Sequence, residues 1–232
     1  SNQIGGSVGR IQNAHRILVD HTEGTQITTA SLNCILCALG DTGLVDQAFT
    51  TFDDFAQYNI KPDDNSFSFL LKALCVDLET TNQDTSKQQN NDVISTESAN
   101  DNIDDIEPFD APAVIASIDS LFDMMTNLNI PKTHYHHHEH IRILTQLNEL
   151  DLAKSVLKEL IADAPKQQKV LLNTLEYLSR TFLRCGRIED AKDVANTMVF
   201  EAGYCAVPID LANKIEIDEQ SISAAEQHED YL

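Results

Sequence analysis

Five histidines crowd into seven positions, His134, His136, His137, His138 and His140, with Tyr135 and Glu139 between them. On a helix His134 stands one turn from His138, and His136 one turn from His140, the spacing at which two imidazoles anchor a divalent metal. A complete site needs further ligands, and no carboxylate or cysteine cluster elsewhere in the chain supplies them. His137 and Glu139 match the first half of the H-x-E…P-C-x-x-C pattern of zinc deaminases, but the second half is absent, as is H-E-x-x-H. The run is expected to form a polar helix that binds no metal, its imidazoles turned toward solvent or a partner.

Cys34 and Cys37 form a C-x-x-C, the spacing of a redox pair or half a zinc site. No second C-x-x-C and no βαβ pattern accompanies them, and small soft thiols suit a helix interior, so core packing is expected. The five cysteines, at 34, 37, 75, 185 and 205, are too few and too dispersed for a disulfide framework and point to a reducing compartment. Nucleophile–base pairs, glycine-rich phosphate loops and carboxylate pairs in apolar settings are likewise missing. No catalytic residue, cofactor or small-molecule substrate is expected, and the chain reads as a binding protein.

The elements that would carry a binding surface are helices. A chain of 232 residues with no Trp, 8 Gly and 6 Pro lacks the turn residues of a β-sandwich. No run of 18 apolar residues occurs, so membrane insertion is not expected. Ser1 stands in place of an initiator Met, and the chain reads as a piece of a longer one with an unknown number of units ahead of Ser1.

The formal charge of −21 is unevenly spread. Residues 76–110 hold ten acidic residues and one Lys, residues 209–232 hold seven and one, and the remaining 20 acids face 14 bases. The acidity therefore belongs mostly to two appendages: an insertion at about 76–110, rich in Asn, Gln, Ser and Thr and expected to be disordered, and an acidic C-terminal tail.

Between them runs a repeat. GRIQNA at 9–14, GLVDQA at 43–48 and GRIEDA at 186–191 share a Gly, an aliphatic two residues on and an Ala three further, and each opens an amphipathic stretch. NELDLA at 148–153 is a weaker copy, and Ile118 takes the Ala place in another. Ala14 to Ala48 is 34 residues, Ile118 to Ala153 is 35, Ala153 to Ala191 is 38, and Ala48 to Ile118 is 70, two periods. The Gly can close a first helix in the left-handed conformation, and the Ala lets two antiparallel helices approach. The fold expected is an all-α solenoid of antiparallel helix-turn-helix units, about four plus an N-terminal half-unit, wound as a right-handed superhelical ribbon.

Residues 29–63, with a first helix carrying Leu32, Asn33, Ile35, Leu36 and Leu39, a second carrying Val45, Ala48, Phe52 and Phe55, and the ending Ile60-Lys61-Pro62-Asp63, resemble the P-type pentatricopeptide repeat without a gap. Tetratricopeptide repeats share the Gly and Ala logic and are the structural alternative, but the I-K-P-D ending and the lack of their aromatic pattern favour the former. The units then read 1–28 (the second helix of a preceding repeat and a linker), 29–63, 64–132 with the insertion, 133–171, 172–208, and the tail from 209.

The resemblance implies an organellar protein, mitochondrial or plastid, that binds single-stranded RNA through the concave face of its first helices. In the family the fifth and last residues of a unit read a base, here Asn33 with Asp63, a pair associated with a pyrimidine, usually uracil. In the next unit the places fall on Ser68 and Lys132, and further fifth places on His138 and Glu176. Four residues beyond the fifth places stand Lys72, Arg142 and Arg180, with Cys37 in the first unit and Arg184 one turn past Arg180. These cations form either a phosphate track or ordinary solvated helix positions. Partner class stays open at the same point: single-stranded organellar RNA, or a large organellar protein assembly in which the solenoid is a scaffold.

Overall fold

A computed structural model describes residues 27–91, 110–163, 169–203 and 206–217, together with Gly9 and Ile11. Regular structure among them is entirely helical: α1 (Thr29–Thr42), α2 (Val45–Gln57), α3 (Asp64–Asn91), α4 (Ala111–Asn127), α5 (His134–Gln146), α6 (Leu150–Asp163), α7 (Lys169–Arg184), α8 (Ile188–Phe200) and α9 (residues 209–217). Most of the N-terminal half-unit expected over 1–28 lies outside the described residues. The chain divides into two compact units, 1–139 and 140–232.

In the first unit α1 packs on α2 and on α3, and α2 and α4 each pack on α3. Ala48, at the signature position, is fully buried, as are Leu32, Leu36 and Leu39 of α1 and Phe67, Leu70 and Leu71 of α3. A methyl at Ala48 is small enough to let the α1–α2 pair close, and Phe52 then reaches Phe67 with ring centroids 5.1 Å apart in an edge-on contact. The adjacent first helices also touch: a Cβ added to Gly40 would stand 2.9 Å from the Phe69 carbonyl oxygen, so α1 and α3 approach closer there than any other residue allows.

The turns repeat with the period of the sequence. Gly43, Asn148 and Gly186 end first helices with φ of 68°, 61° and 72°, and Asn59 and Asn129 follow second helices at 54° and 56°. Asn59 and Asn129 lie 70 residues apart, Gly43 and Asn148 105 apart, which are two and three periods of 35. Asparagine tolerates the left-handed region better than other non-glycine residues, which is why Asn148 can stand in for the missing Gly of the weak copy at 148–153.

In the second unit α7 packs on α6 and α8. Ala153 and Ala191 are again fully buried, and the Ser179 hydroxyl donates to the Ala191 carbonyl at 2.9 Å across the α7–α8 crossing. The second helices are tied at their surface by ion pairs, Lys154 to Asp190 at 2.6 Å and Asp193 at 3.0 Å, and Arg187 to Asp151 and Asp190 at 2.6 Å.

Four sequence expectations need correction. α3 runs on to Asn91, into the stretch from about 76 expected to be disordered; Leu78 is buried and extends the core, and adding turns to an existing helix costs little once its nucleus is packed. The rest of the insertion, 92–109, lies outside the described residues. Residues 209–217, read as the start of an acidic tail, form α9 with Leu211 and Ile215 buried one turn apart; residues 218–232 lie outside the described residues. Cys34 is exposed and Cys37 half-buried, so the C-x-x-C is a surface feature rather than core; Cys75 is buried. The histidine run is not turned outward throughout, since His136 and His137 are buried.

Candidate nucleic-acid interface

The N-termini of two first helices are built by one reciprocal cap, and its returning half recurs at a third. Thr28 caps α1 with its hydroxyl on the Ser31 amide at 3.3 Å, and Ser31 returns a bond from the Thr28 amide at 2.8 Å. Asp63 caps α3 in the same way: the Ser66 amide donates to Asp63 Oδ1 at 3.0 Å and the Asp63 amide to Ser66 Oγ at 3.1 Å. At α5 the Thr133 amide donates to His136 Nδ1 at 2.9 Å. Thr28, Asp63 and Thr133 are thus equivalent, and the fifth residue after each is Asn33, Ser68 and His138.

This register moves one expected site residue. The position equivalent to Asp63 at the end of the second unit is Thr133, not Lys132. The loop Ile130-Pro131-Lys132-Thr133 carries its Pro one place earlier than Ile60-Lys61-Pro62-Asp63, which disguises the alignment. Lys132 instead places its ammonium 4.5 Å from the centroid of the Phe122 ring, a cation–π contact.

Asn33 and Asp63, 30 residues apart, are brought together. Asn33 Nδ2 donates to Asp63 Oδ1 at 2.9 Å, and the buried Ser66 hydroxyl donates to Asn33 Oδ1 at 2.7 Å. Burial pushes the Asp63 carboxyl up, but the bonds from Asn33, Ser66 and the Asn65 amide outweigh it and hold its pKa below the usual value. Asp63 also lines an open recess of about 600 Å³ with Thr29, Lys61 and the turn Asn129–Pro131. Ser66 was not singled out in the sequence; the S/T/D-x-x-S spacing before an apolar run is the signal that marks it.

Ser68 is half-buried and turned into the protein: its hydroxyl donates to the Asp64 carbonyl at 3.0 Å and lies 3.1 Å from His136 Nε2. Because His136 Nδ1 accepts from the Thr133 amide, the proton of the neutral ring sits on Nε2, which lies 3.0 Å from the Asp64 carbonyl. Burial drives the His136 pKa down, more strongly than the Asp64 carbonyl raises it. Both nitrogens are committed to structure, and among the described residues no group of His, Cys, Asp and Glu is arranged to hold a metal.

The cations expected along the face already have local partners. The Lys72 ammonium pairs with Asp41 of α1, which raises its pKa. Arg180 is held by Glu176 at 2.7 Å, one turn back on α7, and by Asp210 of α9. Arg142 is half-buried in α5. Arg184 is exposed and gives one bond, to Thr181 Oγ1 at 3.0 Å. Tyr177 and Lys214, which sequence reading passed over, join Arg180, Leu183 and Arg184 around a cavity of about 400 Å³. The pattern Tyr177, Arg180, Arg184, at helical spacings of three and four, is the signal in the sequence.

Helical hairpins that recur with a buried small residue at the crossing (Ala48, Ala153, Ala191) and a left-handed turn before it (Gly43, Asn148, Gly186) define a helical-repeat fold. Comparison with known proteins agrees: residues 28–76 match the PPR repeat family, the pentatricopeptide repeats. A pentatricopeptide repeat-containing protein of Arabidopsis thaliana is 39% identical over 49 residues, covering 21% of this chain and 11% of that protein. Residues 28–76 therefore carry a pentatricopeptide repeat, and the chain spans about a tenth of the length of the curated relative it matches. No helix among the described residues is long and apolar enough to cross a membrane.

Proposed function

We propose that this chain is a non-catalytic binding protein of an organelle, mitochondrion or plastid, that associates with single-stranded RNA through the exposed face of its first helices. The observation that carries the reading is the Asn33–Asp63 pair, held 2.9 Å apart at the start of consecutive first helices within the segment that matches the family. Asp63 Oδ1 accepts from Asn33 and Ser66, and in this reading a base edge meets the pair from its outer side. The Lys72, Arg142 and Arg180 positions then supply phosphate contacts.

A second reading, a protein-binding scaffold in a large organellar assembly, draws support from the ion pairs of Lys72 and Arg180, which leave less free positive charge on the face, and from the formal charge of −21. Fluorescence anisotropy with labelled oligouridine at two salt concentrations separates the two. RNA association requires measurable affinity that falls as salt rises; absence of binding at low salt moves the function to a protein partner.

A further inference from the structure

We propose that the cavity around Tyr177 in the second unit is a seat for one nucleotide that lies outside the base-reading register, holding a base against the Tyr177 ring and a phosphate on Arg184. The proposal rests on the RNA reading above and adds a site to it. Tyr177 and Arg184 lie one and eight positions after the fifth-place residue Glu176, so neither belongs to the pair of positions that reads a base.

Three features of the cavity make this chemistry. First, the ring is fixed: the Tyr177 hydroxyl lies 2.9 Å from Thr145 Oγ1 and accepts from Gln146 Nε2 at 3.4 Å, which anchors the phenol at its far end, and Tyr177 lines the cavity. A stacking platform that is already ordered loses little entropy when a base arrives. Second, the cations differ in what they have left to give. Arg180 is neutralised by Glu176 and Asp210, to which its Nε and Nη2 donate, whereas Arg184 makes no ion pair among the described residues and spends one of its donors on Thr181. Its guanidinium keeps the fork that matches a phosphate. Third, the space suits the guest: about 400 Å³, bounded by an aromatic ring, Leu183 and three cationic side chains, accommodates a base with its phosphate but not a folded peptide segment. Stacking needs only a π-face, so the seat adds affinity for any sequence.

The test uses the intact chain and a fluorescein-labelled twelve-nucleotide oligouridine. Tyr177→Leu is expected to weaken binding about tenfold, Tyr177→Phe less than about twofold because the ring remains, and Arg184→Gln severalfold with a shallower salt dependence. Independently of any variant, irradiating the wild-type complex at 254 nm should cross-link uridine to the peptide containing Tyr177, and that result decides the matter if Tyr177→Leu lowers helicity. Equal losses in the Phe and Leu variants would place the effect in the hydroxyl bonds to Thr145 and overturn the seat. So would inorganic phosphate or polyglutamate competing for Arg184 with no cross-link at Tyr177. Full RNA affinity in Tyr177→Leu overturns the seat alone, whereas absence of RNA binding by the wild type overturns both the seat and the reading beneath it.

Discussion

Asn33 Nδ2 lies 2.9 Å from Asp63 Oδ1, so the fifth residue of one first helix is bonded to the residue that caps the next. The contact has a structural consequence whether or not a base ever meets it. Asp63→Ala removes the cap of α3 together with the acceptor for Asn33, and a loss of about 1–2 kcal/mol is expected in urea unfolding. The acid dependence follows from the same bonds. Folding depresses the Asp63 pKa, so its contribution is present above the unfolded value, near 3.8, and is lost as pH falls through the lower folded value. Asp63→Asn should flatten the decline in stability below pH 3.8; an unchanged acid limb would show that folding does not depress the Asp63 pKa.

His136 gives a second, separable pH dependence. Its folded pKa is depressed below 6.5, so the unfolded chain takes up the proton more readily. The contribution is complete above 6.5 and is lost as pH falls through the folded value, when protonation of Nδ1 abolishes its bond from the Thr133 amide. The urea midpoint of the wild type should therefore drop between pH 7 and 5 more than that of His136→Gln, in which a side chain at the third helical position can still serve the reciprocal cap. Parallel pH profiles would dismiss the cap as the origin.

The architecture was legible because the residues that set it are few and local. A small residue at the crossing and a left-handed turn before it recur in Gly43 with Ala48, Asn148 with Ala153 and Gly186 with Ala191, and those positions specify three hairpins directly. What was not legible depends on partners far along the chain. Nothing in Ile-Pro-Lys-Thr shows that Thr133, rather than Lys132, ends the unit by pairing with His136 to start the next helix. Nothing in a polar composition shows how far α3 continues past its packed turns, and the pairing of Lys72 with Asp41 or Arg180 with Asp210 requires neighbouring helices to be in place.

The close approaches predict where volume is not tolerated. Ala48→Leu and Ala191→Leu should each cost about 1–3 kcal/mol through overpacking, since both sites are fully buried at helix crossings. Gly40→Ala should also destabilise, although alanine is the better helix former, because its Cβ would meet the Phe69 carbonyl at 2.9 Å. The exposed Asp53→Ala, on α2, should change stability by less than about 0.5 kcal/mol. A stabilised Gly40→Ala would mean that α1 and α3 are farther apart in solution.

The carboxylates beside the expected phosphate contacts turn the RNA reading into a two-sided prediction. If Lys72, Arg142 and Arg180 meet phosphate, replacing all three with Gln should weaken binding for every sequence alike and reduce the salt slope by about two, the value for three contacts on a single strand. Lys72 and Arg180 reach RNA only by leaving Asp41 and Asp210, or by sharing their donors with them. Removing the competing charge should then help: Asp41→Asn and Asp210→Asn are expected to raise affinity several-fold at low salt, with the gain shrinking as salt screens it. Asn33→Ala should differ from all of these, relaxing the preference at one nucleotide while leaving most of the non-specific affinity in place. The scaffold reading expects no response of RNA binding to any of them. Unchanged affinity in both Asp→Asn variants, alongside a loss in the triple Gln variant, would mean that Asp41 and Asp210 do not compete with the strand for these cations.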